Sequence, residues 1–288
     1  MPQTLLHIDP QVLASIHDFD WAIRSLAMGE YVGKKRSNRL GTGMEFSQYR
    51  PYSQGDDLRQ LDWKMYARTD RFYIKQSEVE TNVDVTFIID NSKSMLYEES
   101  GLKKLEVAKL LTGVLGFVAL ENGDWIGLAD GISMQSGNDQ RHWIRFLNRL
   151  QQLETNNTFQ PPFIENRRSK ELFVFMSDLY DESGEMLAFI QTLKSPRNEV
   201  IVFHLMGDKE ERFDFSGALR VRDLETNQTI QLNTATVAAD YQERLADWKQ
   251  QLVHDFLMSG IDYHHCTYTT PVDELINTFL NRRKQLRK

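Results

Sequence analysis

A single cysteine, Cys266, among 288 residues leaves the chain no internal disulfide, which points to a reducing compartment. Long hydrophobic runs are also scarce. The longest stretch of apolar, Gly and Thr residues, 110–120, falls far short of the roughly 20 residues a membrane helix needs. The opening MPQTLLHIDP has neither a basic segment nor an apolar core, so no signal peptide is expected. No Gly-x-x-x-x-Gly-Lys-Ser/Thr phosphate loop occurs, so the chain is not itself a P-loop ATPase. Positive charge is in deficit, with 34 Lys+Arg against 41 Asp+Glu and a net charge of -7; this argues against nucleic acid as the main partner. The basic clusters Lys34-Lys35-Arg36, Arg167-Arg168 and the tail 282–288 read as solvated surface. The expected location is the cytoplasm, without membrane insertion. What is present is ordinary for a globular protein: 41% hydrophobic and 26% charged residues, enough for one large domain or two small ones.

Asp9-Pro10 has the form of a helix start, and Val12, Ile16, Phe19 and Ile23 then recur at helical spacing towards Met28. Residues 33–55 carry glycines and a proline without periodicity, and Asp56 or Asp57 is placed to cap a short helix through about Ala67. From Arg71 the pattern alternates as a half-exposed strand does, and 83–89 (VDVTFII) is continuously apolar, as a strand covered on both faces would be. Helices over 102–120, 143–153, 186–193 and 237–256 then alternate with strands over 125–129, 172–176, 200–206 and 261–268, and a last helix follows Pro271. Asp130-Gly131 is a hairpin turn with a short return over 132–134, and 218–224 with 229–232 form a second hairpin around Asn227. This alternation predicts an α/β fold with a doubly wound, mostly parallel sheet. Residues 1–80 are an N-terminal helical and β extension. Residues 81–288 form the main domain, with the hairpin inserted near 216–233.

Ligands of doubly wound sheets bind at the carboxyl ends of strands where the strand order reverses. That rule sets Asp90-Asn91-Ser92-Lys93-Ser94, after the first buried strand, beside Ser177-Asp178, after the LFVFM strand. Two carboxylates, Asp90 and Asp178, and two hydroxyls, Ser92 and Ser94, are hard oxygen ligands. They suit Mg2+, or another divalent cation such as Mn2+ or Ca2+, and not zinc.

Asp-x-Ser-x-Ser at the end of a first strand, with an Asp after a later one, resembles the metal-ion-dependent adhesion site of von Willebrand factor A domains. That resemblance implies a third element, a loop threonine. Thr155-Asn156-Asn157-Thr158 supplies it, with Thr158 the better match by position. A wider resemblance starts at Arg39-Leu40-Gly41-Thr42-Gly43-Met44-Glu45-Phe46. It continues through Arg50-Pro51-Tyr52, Gly55-Asp56-Asp57-Leu58-Arg59-Gln60-Leu61-Asp62-Trp63, Ala67-Arg68, Glu80 and Leu224-Glu225-Thr226. Together these motifs resemble the domain of unknown function 58 family, in its short form without membrane helices. Membership implies a von Willebrand factor A-like core and a MoxR-type AAA+ ATPase as working partner. The implied function is that of a non-enzymatic, metal-dependent adaptor or co-chaperone that captures an acidic side chain of a protein client.

Simpler roles are open to several of these residues. Ser92 and Ser94 would equally serve to cap a following helix. Lys93 is taken to point to solvent. The Asp56, Asp57, Arg59, Asp62 cluster, with Glu45 and Lys64 nearby, is read as a capped, ion-paired helix rather than a catalytic acid group. His264 and His265 fall on opposite faces of a strand and cannot easily share an ion. His204 is a strand histidine with its needs met, and Cys266 lacks a base partner. The alternative function is a Mg2+-dependent phosphoryl-transfer or hydrolytic enzyme with Asp90 as nucleophile. Its acid/base would stand two residues on, where this chain has Ser92.

Overall fold

Val85, Phe87, Ile88 and Ile89 are buried apolar residues that point to both faces of one strand, and the sheet is organised around it. In the computed structural model, the described residues are 45–53, 61–78, 83–130, 136–164, 171–181, 183–215, 218–222, 229–267 and 270–285. The chain divides into two compact units, residues 24–82 and a larger one holding 83–288.

In the smaller unit, β1 (Glu45–Pro51) pairs antiparallel with β2 (Tyr73–Glu78), with a register irregularity between Phe46 and Gln48. Between them lies α1 (Trp63–Thr69). Its cap is Asp62, whose side chain accepts from the amides of Lys64 and Met65. The helix expected to start at Asp56 or Asp57 thus begins later among the described residues, and Asp62 serves as a cap. Asp56, Asp57 and Arg59 lie outside the described residues. So do the expected helix over 9–28, the return strand over 132–134, and the Lys34–Arg36 and Arg167-Arg168 clusters. Tyr66 stacks on Phe72 at 4.4 Å between centroids.

The larger unit contains a five-stranded parallel sheet in the order β11-β8-β7-β3-β6. The strands are β3 (Asp84–Ile89), β6 (Trp125–Ala129), β7 (Glu171–Ser177), β8 (Asn198–Met206) and β11 (Asp262–Thr267). From β3 the chain steps outward to β6, then returns to the other side of β3 and grows through β7 and β8 to β11. This is the expected doubly wound order. The two-residue strands β4 (Glu98–Glu99) and β5 (Leu102–Lys103) form a tight antiparallel pair. β9 (Ala218–Arg222) and β10 (Thr229–Asn233) form the predicted hairpin.

The helices divide between the faces of the sheet. α2 (Lys104–Glu121), α3 (Gln140–Gln152) and α7 (Val272–Gln285) send Leu111, Leu115, Phe146, Ile276 and Phe279 against Val85, Phe87 and Phe203. α4 (Glu185–Leu193) and the long α6 (Thr234–Met258) send Met186, Ile190, Leu252 and Phe256 against Ile88, Phe173, Phe175 and Val202. α5 (Asp208–Arg212) is a short helix after β8. Local chemistry sets the ends. Asp139 caps α3 through the His142 amide at 2.6 Å, and Gly260, at φ +66°, closes α6 in a conformation that glycine adopts freely. Gly116 lets α3 approach α2, since a Cβ there would stand 3.1 Å from the Phe146 ring.

Phe146 is fully buried against Phe87, stacked on Trp143. Phe146→Ala is expected to cost about 3–5 kcal/mol, the range for an aromatic removed from a packed core. A fall in the urea midpoint with an unchanged slope would show it.

Candidate functional site

The β3–β7 pairing runs in register from Asp84 opposite Glu171 to Ile89 opposite Met176. It continues one step further, where the Asp90 amide donates to the Met176 carbonyl at 2.8 Å. The two strands therefore end level, and Asp90 and Asp178 emerge side by side. Asp90 is fully buried and Asp178 nearly so.

Four of the five residues expected from the sequence are brought together. The Ser94 hydroxyl donates to Asp178 Oδ1 at 3.1 Å and lies 2.8 Å from the Ser92 hydroxyl. The Ser92 amide donates to Asp90 Oδ1 at 2.9 Å. The helix-capping alternative does not hold for Ser92. It precedes the 3-10 turn Lys93–Leu96, yet its side chain makes no capping bond. The fifth residue, Thr158, is exposed. Its loop touches the motif at Asn156, whose amide donates to the Asn91 carbonyl at 2.5 Å; the half-buried Thr155 is the threonine next to that contact.

Three further residues, given no role by the sequence reading, complete the cluster. The Ser177 hydroxyl donates to Asp90 Oδ2 at 2.6 Å and accepts from the Leu179 amide at 2.7 Å. Leu179 itself sits at φ +56°, a left-handed conformation that strains a bulky residue. Buried Lys104 donates to Asp178 Oδ2 and to Glu210 Oε1, both at 2.9 Å, and its ammonium lies 5.1 Å from the Tyr97 ring centroid. Of the three, Ser177 has a sequence signal, its position directly before Asp178. Lys104 heads a helix that also carries Glu106, Lys109 and Glu121, and no local pattern singles it out. Glu210 has none beyond its place after β8, at the same edge of the sheet.

The electrostatics follow from this crowding. Burial first, then the Asp178 charge, push the Asp90 carboxyl up to about 6, against an ordinary 3.8. Burial works against the Lys104 charge, but Asp178 and Glu210 outweigh it and raise the ammonium to about 12. His204 lies opposite Ser177 in the β7–β8 register. Its Nδ1 is 2.6 Å from the Tyr263 hydroxyl. Burial, with His265, Lys104 and Lys249 nearby, holds its pKa well below 6.5.

The donor set suits a hard divalent cation. The Asp178 charge opposes the ionisation of Asp90, which a cation relieves. The serine hydroxyls keep lone pairs after donating, and Asn91 Oδ1 is buried with no hydrogen-bond partner among the described residues. Among the described residues no group of three or more His, Cys, Asp or Glu side chains forms a metal-binding arrangement, so a cation here would add hydroxyl and water oxygens to the two carboxylates. Elsewhere, His264 packs against Phe203 and Phe279 while His265 faces Trp248's neighbour His204 across the other side of the sheet. The Cys266 thiol is pushed by burial to about 12 and is inert at neutral pH.

The family described as "Protein of unknown function DUF58" matches residues 48–251, and the chain belongs to it. An uncharacterized protein of Mycobacterium tuberculosis and one of Mycobacterium bovis are each 24% identical over 128 residues, 44% of this chain. The matched segment spans 40% of the length of each of these relatives. Among solved structures, conserved hypothetical protein BatB from Bacteroides thetaiotaomicron aligns at 14% identity and a TM-score of 0.39, covering 71% of this chain and 100% of that one. An aerotolerance-related membrane protein from Bacteroides fragilis aligns at 16% and 0.38, over 70% of this chain and 100% of that one. The PilB minor pilin from Streptococcus sanguinis aligns at 13% and 0.37, over 75% of this chain and 64% of that one. Overlaps this loose say nothing about function. No helix among the described residues is long and apolar enough to cross a membrane.

Two sets of groups titrate in opposite senses. Asp90, raised to about 6, keeps a proton that the unfolded chain has released, so it favours the fold at low pH and loses that effect as pH rises through 6. His142, His204 and His265, all lowered from 6.5, stay neutral where the unfolded chain takes up protons. Their contribution is lost as pH falls below 6.5. Urea midpoints measured in chelator are therefore expected to fall from pH 7 to pH 5, three histidines outweighing one carboxyl. His204→Gln should flatten that decline and Asp90→Asn should steepen it.

Proposed function

We propose that this protein is a non-enzymatic, metal-dependent protein-binding module. The observation that carries this reading is the meeting of Asp90, Ser92, Ser94 and Asp178 in one oxygen-lined cluster at the strand ends. These residues, with a threonine of the neighbouring loop, either Thr158 or Thr155 beside the Asn156 contact, would hold Mg2+ or another oxygen-preferring divalent cation such as Mn2+ or Ca2+. When bound, the cation supplies an electrophilic position for a carboxylate of a protein client. The chain's own groups do the rest: Ser177 and the Ser92 amide fix the Asp90 carboxylate, and Ser94 fixes that of Asp178. The resemblance to the family supports a MoxR-type AAA+ ATPase as the partner that remodels the assembly, with this chain as a cytoplasmic adaptor or co-chaperone that engages no nucleic acid.

The residue two positions after Asp90 weighs against the enzymatic alternative. Residue 92, a serine, offers no general acid at its ordinary pKa.

The test is cation-dependent stabilisation followed by partner binding. Millimolar Mg2+ or Mn2+ is expected to raise the Tm of the wild-type chain by a few degrees through linkage. Asp90→Asn should abolish that rise and the Mg2+-dependent binding of the purified ATPase partner, while remaining folded in chelator. A rise of equal size in wild type and Asp90→Asn would sink the metal reading. Thr155→Ala and Thr158→Ala, measured side by side, show which loop hydroxyl contributes.

A further inference from the structure

We propose that Lys104 is a built-in competitor for the cation site, a tethered ammonium that occupies Asp178 and sets how weakly the free protein holds a divalent ion. The inference rests on the metal-binding reading of Asp90, Ser92, Ser94 and Asp178 and concerns the regulation of that site.

Three observations carry it. First, Lys104 takes Asp178 Oδ2 at 2.9 Å, while the Ser94 hydroxyl and the Tyr180 amide take Oδ1. Each oxygen of the second carboxylate is thus spoken for, one of them by a full positive charge. Second, the lysine is buried at the first position of α2, where the helix offers partially positive amide groups. That is an unfavourable place for an ammonium unless acidic partners hold it. Third, a second carboxylate shares it. Glu210 receives Lys104 on Oε1 and the Gly207 amide on Oε2 at 2.8 Å, which pins it to the turn after β8. Glu210 is partly open to solvent and Asp178 is not, so the two carboxylates do not hold the ammonium equally.

An ammonium and a divalent cation drawn to the same carboxylate repel each other, strongly in a site screened from water. The free protein then binds the ion weakly. A partner carboxylate adds a ligand and a negative charge at once, so ion and partner bind together. Glu210 works against the competition, because a lysine shared with Glu210 leaves more of the Asp178 charge available. The two residues of this ion pair should therefore have opposite effects, which a purely structural pair would not produce.

The experiment is calorimetric titration of the purified full chain with Mn2+ and with Mg2+ for wild type, Lys104→Met, Glu210→Gln and Ser94→Ala, with Tm in chelator to confirm folding. Lys104→Met is expected to bind Mn2+ roughly tenfold tighter than wild type, and Glu210→Gln several-fold weaker. Lys104→Gln, which keeps hydrogen-bonding capacity without charge, should follow Lys104→Met and serves in its place if the latter fails to fold. Equal weakening in the Lys104 and Glu210 variants, or no gain in either Lys104 variant, overturns the proposal and leaves Lys104 a residue that only positions Asp178. Failure of every protein, wild type and Lys104→Met included, to bind either ion overturns the metal reading itself. Wild-type binding that Ser94→Ala weakens, together with unchanged Lys104→Met, spares the metal reading and sinks the competition alone.

Discussion

The in-register pairing of β3 with β7 is the constraint on which the rest depends. Each residue of one strand has a fixed partner on the other, from Asp84 with Glu171 to Ile89 with Met176. A slip of one residue would turn every side chain to the opposite face, emptying both cores and carrying Asp90 away from Ser177 and Asp178. Because both faces of these strands are packed by helices, their interiors admit almost no polar side chain. The polar groups collect where the strands stop, and there each is held by a neighbour across the pair.

Burial gives that cluster its character. Asp90, Asp178 and Lys104 are all withdrawn from water, and a buried charge is tolerated only when it is matched. One ammonium serves two carboxylates here, and the third, Asp90, is supported by hydroxyl and amide donors alone. Its raised pKa reports the imbalance. His204, next along the sheet edge, is kept neutral by the same burial, so it adds no compensating charge. The sheet end is short of positive charge inside a protein that is itself acidic.

Much of this organisation was legible in the sequence, for reasons that differ by element. Strands buried on both faces are written as continuous apolar runs, so β3, β7 and β8 stand out, and the order of strands and helices fixes which of them adjoin. Asp90, Ser92, Ser94 and Asp178 were legible because each lies within a few residues of a strand end and the topology brings those ends together. Lys104 and Glu210 were not, because their contacts span 74 and 106 residues of chain and depend on side-chain reach rather than on any local pattern. Lys93 is the basic residue adjacent in sequence, but the ammonium that reaches Asp178 comes from Lys104, on the far side of the β4–β5 turn. The acidic cluster around Asp62 was legible as part of a capped helix, but the cap is Asp62 itself, which holds the amides of Lys64 and Met65.

Leu179 shows what it takes to build such a site at the end of a buried strand. Its backbone turns left-handed so that its amide can reach the Ser177 hydroxyl, while its side chain, 2% exposed, fills the second core layer among Phe175 and Met186. Glycine would satisfy the first demand and leave a void; any β-branched residue would fill the void and strain the turn further. No amino acid meets both demands. The residue beside Asp178 is therefore a local compromise, a point where the interests of the fold and of the cluster diverge and neither is fully met.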